Sequence, residues 1–127
     1  MKEGGEVFCE GIDRSVLASL RELQVEGDPD IIAEVGGLFM KHSPDKVNAI
    51  MQSVQSRDAK GLQMAAHSLK SSSAYVGAMR LSALAREMEM MGRSNSLDKA
   101  GELAQKLKAE FIQVMAALDA EIKLAGK

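Results

Sequence analysis

Tryptophan is absent from this chain of 127 residues, and its aromatics amount to three Phe and one Tyr. Strands draw on aromatic runs, so their absence weighs against a β-rich core. It also removes the platforms on which nucleic-acid bases stack. No apolar run approaches the ~20 residues that cross a bilayer, so no direct membrane contact is expected. The one cysteine, Cys9, cannot close an internal disulfide, which suits a reducing cytoplasm. Neither sign of charge dominates: the net is −2, with no basic stripe along the chain. Nucleic-acid binding is therefore not expected. A phosphate-cradling glycine loop is missing as well. Gly36-Gly37 sits inside a helical pattern and no Lys-Ser/Thr follows it. No ATP-dependent kinase centre can be built from these residues.

What is there is Ala, Leu and nine Met, all good helix formers. An all-α protein follows. The length suits one domain with its own core. The opening Met1-Lys2-Glu3-Gly4-Gly5-Glu6 is polar and acidic, unlike a signal peptide. Residues 1–10 are read as a flexible N-terminal tail and 11–127 as one helical domain. Whether the chain stands free or is one piece of a longer kinase is left open.

Six helices are expected. Asp13 caps a short first helix carrying Val16, Leu17, Leu20 and Leu23. Asp28 and Pro29 fit the N-cap and first position of a second, running through Ile31, Ile32, Val35, Leu38 and Phe39. Gly36-Gly37 within it suits close approach by another helix. His42 falls in its last turn, and Ser43-Pro44 begins a third helix with Val47, Ile50, Met51 and Val54. Asp58 caps a fourth, from about Ala59 to Ala74. Gly77 turns the chain into a fifth, with Leu81, Leu84, Ala85 and Met88, and Gly92 fits its C′ position. Asn95 or Ser96 caps the last helix, with Asp98 in its first turn and an apolar face from Leu103 to Ile122. Short connections imply antiparallel neighbours. The architecture expected is an up-down-up-down four-helix bundle from Pro44 onward, with two additional N-terminal helices on its side or end.

On a helical wheel Leu62, Ala65, Ala66, Leu69, Ser73 and Val76 form the core stripe of the fourth helix. His67 lies about 160° from Leu69, on the opposite face. Gln63, Met64, Lys70, Ser71 and Ala74 share that outward half, and Lys70 and Ser71 are its neighbours one turn on. A flat, small-residued patch around a histidine and a lysine suits protein docking and transfer of an anionic group. Its docking candidates are Gln63, Met64, Ser68, Ser71 and Ala74. If the chain folds back at Gly77, Glu87 or Glu89 comes opposite His67. Glu89 is the preferred candidate to accept Nδ1–H and leave Nε2 as the nucleophile. Met79, Met88, Met90 and Met91 are mostly packing. Met90 and Met91 cannot both point inward, so one is a candidate docking contact.

A di-iron bundle needs Glu-x-x-His pairs, and Met64 occupies the glutamate's place before His67. Zinc, haem and triad hydrolysis are equally unsupported by two histidines and a run of small helix serines.

Ala66-His67-Ser68-Leu69-Lys70-Ser71-Ser72-Ser73-Ala74-Tyr75-Val76-Gly77-Ala78, followed by Leu81, Leu84 and Met88-Glu89, resembles the histidine-containing phosphotransfer (HPt) domain. That family's motif runs alanine, histidine, any residue, leucine, lysine, glycine, then a glycine ten after the histidine. Gly77 keeps the spacing; Ser71 stands where the family usually has glycine. The resemblance extends over about residues 12–124.

The resemblance implies a phosphorelay intermediate. A receiver domain carrying phospho-aspartate and its own Mg²⁺ would phosphorylate His67, which would pass the group to another receiver aspartate. Lys70 would neutralise phosphoryl oxygens, and Glu89 matches the family's ring-bonding group. The chain itself would hold no cofactor and no metal. Partners implied are response-regulator receiver domains and an upstream hybrid sensor histidine kinase, with the chain a monomer. The alternative is a helical docking module that binds without transfer.

Overall fold

The computed structural model describes residues 11–125. The tail expected at residues 1–10, with Cys9, lies outside them. Five helices follow in order: α1 Arg14–Arg21, α2 Ile31–Ser56, α3 Ala59–Tyr75, α4 Met79–Ser94 and α5 Ala100–Ala125.

The expected break at Ser43-Pro44 does not occur, so there are five helices among the described residues and not six. Pro44 lies inside α2. Interior proline costs roughly 3 kcal/mol through a lost N–H bond and a clash with the carbonyl four residues back. Packing overrides that cost. Ile32, Gly36, Phe39, Ser43, Val47, Ile50 and Ser53 are all buried on one face, in unbroken helical spacing through the proline. Ser43 is therefore no N-cap: its hydroxyl donates back to Phe39 O at 2.6 Å. His42 sits exposed in mid-helix instead of in a last turn.

Capping also differs in place. Asp58 caps α3, accepting from Gly61 N at 2.9 Å. At α2 the cap is Asp30, not Asp28; its carboxylate accepts from Ile32 N and Ala33 N. The Gln24 side chain takes up the residues before it, bonding Asp28 O, Pro29 O and Ile31 N. Leu23 lies beyond α1 and is exposed. Gly92 is not a C′ residue either. It is buried within α4, which ends at Asn95 in the left-handed region. Asn95 thus closes α4 and does not open α5. Asp98 precedes α5, which starts at Ala100.

α2, α3, α4 and α5 form a four-helix ring in which α2 also packs on α5. Leu62, Leu69, Leu81, Met88, Leu107 and Leu118 are fully buried at its centre. Gly36 does admit another helix: a Cβ there would lie 2.9 Å from Ile122 of α5. Gly37 has no such neighbour. α1 buries Leu17 and Leu20 in the same core, and Arg14 pairs with the buried Glu121 of α5.

Candidate functional site

Two helices build the site. α3 buries Leu62, Ala66, Leu69 and Ser73, and that register turns His67 outward. Its side chain is 62% exposed. α4 runs back against α3 after the turn at Gly77, whose φ of +84° only glycine adopts without strain. The same glycine seats the start of the domain. Its carbonyl accepts from Asp13 N at 2.7 Å, a role its spacing from His67 did not reveal.

At Gly92 the two helices meet without a side chain between them; Ala59 O and Gln63 N lie opposite. Ser82 Oγ adds a bond to Lys70 O at 2.9 Å. This close packing brings Glu89 of α4 beneath the imidazole.

Glu89 is buried and both its oxygens are engaged. Oε2 lies 2.8 Å from His67 Nδ1, and Oε1 lies 2.7 Å from Lys70 Nζ. The Lys70 ammonium holds the Glu89 carboxyl below its ordinary value; burial opposes this and the bond to His67 assists it. An ionised carboxylate can only accept. His67 therefore carries a proton on Nδ1, and in the neutral ring the lone pair is on Nε2, on the exposed side. Nε2 has no hydrogen-bond partner among the described residues. Such a ring is an oriented nucleophile toward an electrophile arriving from solvent.

The other candidates fall around it. Met64 and Ser71 are exposed; Gln63, Ser68 and Ala74 are half-buried. Lys70 is less exposed than its wheel position suggested, its side chain being 32% accessible. Glu87 is exposed, apart from the Glu89 cluster. Of the methionine pair, Met90 is exposed and Met91 packs on the core. Arg93 is the residue that the sequence reading missed. Its Nη2 reaches Glu89 Oε2 at 3.4 Å, one helical turn on. The only signal in the sequence was its i,i+4 spacing from Glu89.

Among the described residues no three His, Cys, Asp or Glu side chains stand close enough together to hold a metal ion. No helix among them is long and apolar enough to cross a membrane.

The described residues thus form a helical bundle that displays one carboxylate-bonded histidine, and likeness to known proteins says which class of protein is built this way. Residues 34–121 match the family model described as Hpt domain, and the chain belongs to that family, the histidine phosphotransfer proteins of phosphorelays. Histidine-containing phosphotransfer protein 1 of Arabidopsis thaliana is 28% identical over 120 residues, spanning 93% of this chain and 78% of that protein. Histidine-containing phosphotransfer protein 5 of the same plant is 35% identical over 78 residues, covering 59% of this chain and 50% of that protein. Among solved structures, histidine-containing phosphotransfer protein B from Pseudomonas aeruginosa PAO1 superposes with a TM-score of 0.80. It shares 28% identity, over 89% of this chain and 95% of its own.

Proposed function

We propose that His67 accepts a phosphoryl group from the phospho-aspartate of one receiver domain and delivers it to the aspartate of another. The observation that carries this is the Nδ1–H of an exposed imidazole held on a buried carboxylate. In the first step the Nε2 lone pair attacks phosphorus, and an N–P bond forms. The acyl P–O bond breaks, and its electron pair leaves with the donor aspartate as carboxylate. The second step reverses the roles on a new aspartate. The Nδ1 proton stays with the ring and Glu89 throughout.

Catalysis of this kind is mostly positioning and charge. Glu89 orients the ring, and Lys70 keeps positive potential beside it. Gln63, Met64, Ser68, Ser71 and Ala74 form the surface on which a receiver would settle, bringing its own Mg²⁺. An upstream hybrid sensor histidine kinase would supply the first receiver, in the cytoplasm, to a monomeric carrier.

The test is incubation with a ³²P-labelled phospho-receiver. Acid-labile, base-stable label should enter wild type and not His67→Gln. Equal labelling of the two sinks the proposal. A receiver that binds wild type without transferring label would favour the docking-module alternative.

A further inference from the structure

We infer that Arg93 is the cation that moves onto the phosphoryl group, while Lys70 stays on Glu89 as a positioning residue. The inference rests on the reading of His67 as phosphoryl acceptor and divides the work between the two cations beside it.

Lys70 is poorly placed to leave. Its Nζ is the partner of Glu89 Oε1 at 2.7 Å, and no other group among the described residues bonds that oxygen. Glu89 is only 4% exposed. Withdrawing Lys70 toward a phosphoryl group would strand a buried carboxylate oxygen, which is among the costlier changes a protein can make. The lysine stem is itself two-thirds covered.

Arg93 is placed the other way. Its Nη2 lies 3.4 Å from Glu89 Oε2, beyond the length of a strong charge-assisted bond. That oxygen already has the His67 Nδ1–H at 2.8 Å. If Arg93 departs, both Glu89 oxygens keep a partner. Its side chain is 64% exposed, so it can swing without breaking packing. Arg93 and His67 converge on one oxygen, so Arg93 starts from the same carboxylate oxygen that holds the ring's Nδ1. A planar guanidinium can grip two phosphoryl oxygens at once, which an ammonium cannot. During transfer Arg93 would exchange Glu89 Oε2 for the phosphoryl oxygens, with no proton moved. The bland reading is an i,i+4 ion pair in the last turn of α4. It predicts no effect on transfer rate.

The experiment compares wild type, Arg93→Gln, Arg93→Lys and Lys70→Gln in single-turnover transfer from a labelled phospho-receiver. Receiver affinity is titrated separately, and the imidazole tautomer is read by ¹⁵N NMR. Arg93→Gln should slow maximal transfer about tenfold or more, the scale of a lost charge-assisted contact. Its Nδ1–H tautomer should match wild type, and receiver affinity should stay within about twofold. Arg93→Lys should recover part of the rate. Lys70→Gln should disturb the tautomer as well as the rate. Transfer by Arg93→Gln at the wild-type rate, or a loss confined to receiver affinity, overturns the inference. A tautomer change in Arg93→Gln equal to that in Lys70→Gln also overturns it. If wild type itself takes no label, the relay reading falls and this inference with it. Label in wild type and equal label in Arg93→Gln removes only the role of Arg93.

Discussion

Gly92 and Ala59 meet backbone to backbone: a Cβ on Gly92 would lie 2.6 Å from the Ala59 carbonyl oxygen. Gln63 N would be 2.7 Å away on the same side. Alanine would gain about 1 kcal/mol in helix propensity over glycine. Overpacking against atoms that cannot rotate away costs about 1–3 kcal/mol or more, so the clash should win. Gly92→Ala is expected to lower stability by about 1–2 kcal/mol in urea unfolding. It should also slow transfer, because wedging α4 from α3 lengthens the Glu89–His67 bond. A variant as stable and as active as wild type would show that the two helices can part at no cost to the site.

Glu89 makes the domain sensitive to acid. Its carboxyl is held below the ordinary value in the folded protein, first by Lys70. The unfolded chain therefore binds a proton at higher pH than the folded one. Stability from this group is complete above the unfolded value and is lost as pH falls through the folded value. Wild type should lose stability below about pH 4.5, and Glu89→Gln should lose less over the same interval. Lys70→Ala should weaken the fold by about 1–3 kcal/mol at pH 7, since it leaves a buried carboxylate oxygen unpaired. Chemical denaturation of the three proteins between pH 3 and 7 checks both points. Parallel curves for wild type and Glu89→Gln would contradict the assignment.

The α3 register could be read from sequence because Leu62, Ala66, Leu69 and Ser73 repeat at helical spacing, and every one is buried. That fixed the outward direction of His67. Counting outward from Gly77 also brought Glu89 within one turn of it. Glycine and proline were harder to read. A glycine near a helix end looks the same whether it ends the helix, as Gly92 was expected to, or lets another helix approach, as Gly92 does. Ser43-Pro44 has the form of a helix start, and only the apolar face running past it, from Phe39 to Val47, marks it as interior. Arg93 escaped notice for a different reason. A charged residue in a last turn needs no explanation until its partner is known to be buried.

Ser73 offers a test of the core behind the site. Its hydroxyl is buried and has no hydrogen-bond partner among the described residues. Burying an unsatisfied hydroxyl costs about 1–3 kcal/mol, and alanine is the better helix former. Ser73→Ala removes one atom and leaves little cavity. It should raise stability by about 1 kcal/mol, with phosphotransfer unchanged because His67 faces the opposite way. A loss of stability would mean that the hydroxyl finds a partner, such as a buried water, in solution.

Pro44 is the most direct test of the continuous α2. In an interior turn it withholds an N–H from the helix and crowds the carbonyl of Met40, at a cost near 3 kcal/mol. Against this, proline stiffens the unfolded chain and so favours folding by about 0.4–1 kcal/mol. Relief of the interior defect is the larger effect. Pro44→Ala should therefore raise stability by about 2–2.5 kcal/mol. If Pro44 instead began a separate helix, its missing N–H would cost nothing there and alanine would be neutral or destabilising. The sign of the shift in the urea midpoint thus separates one helix from two. Hydrogen exchange supplies a second reading: in Pro44→Ala the new amide at position 44 should be protected like its neighbours in α2.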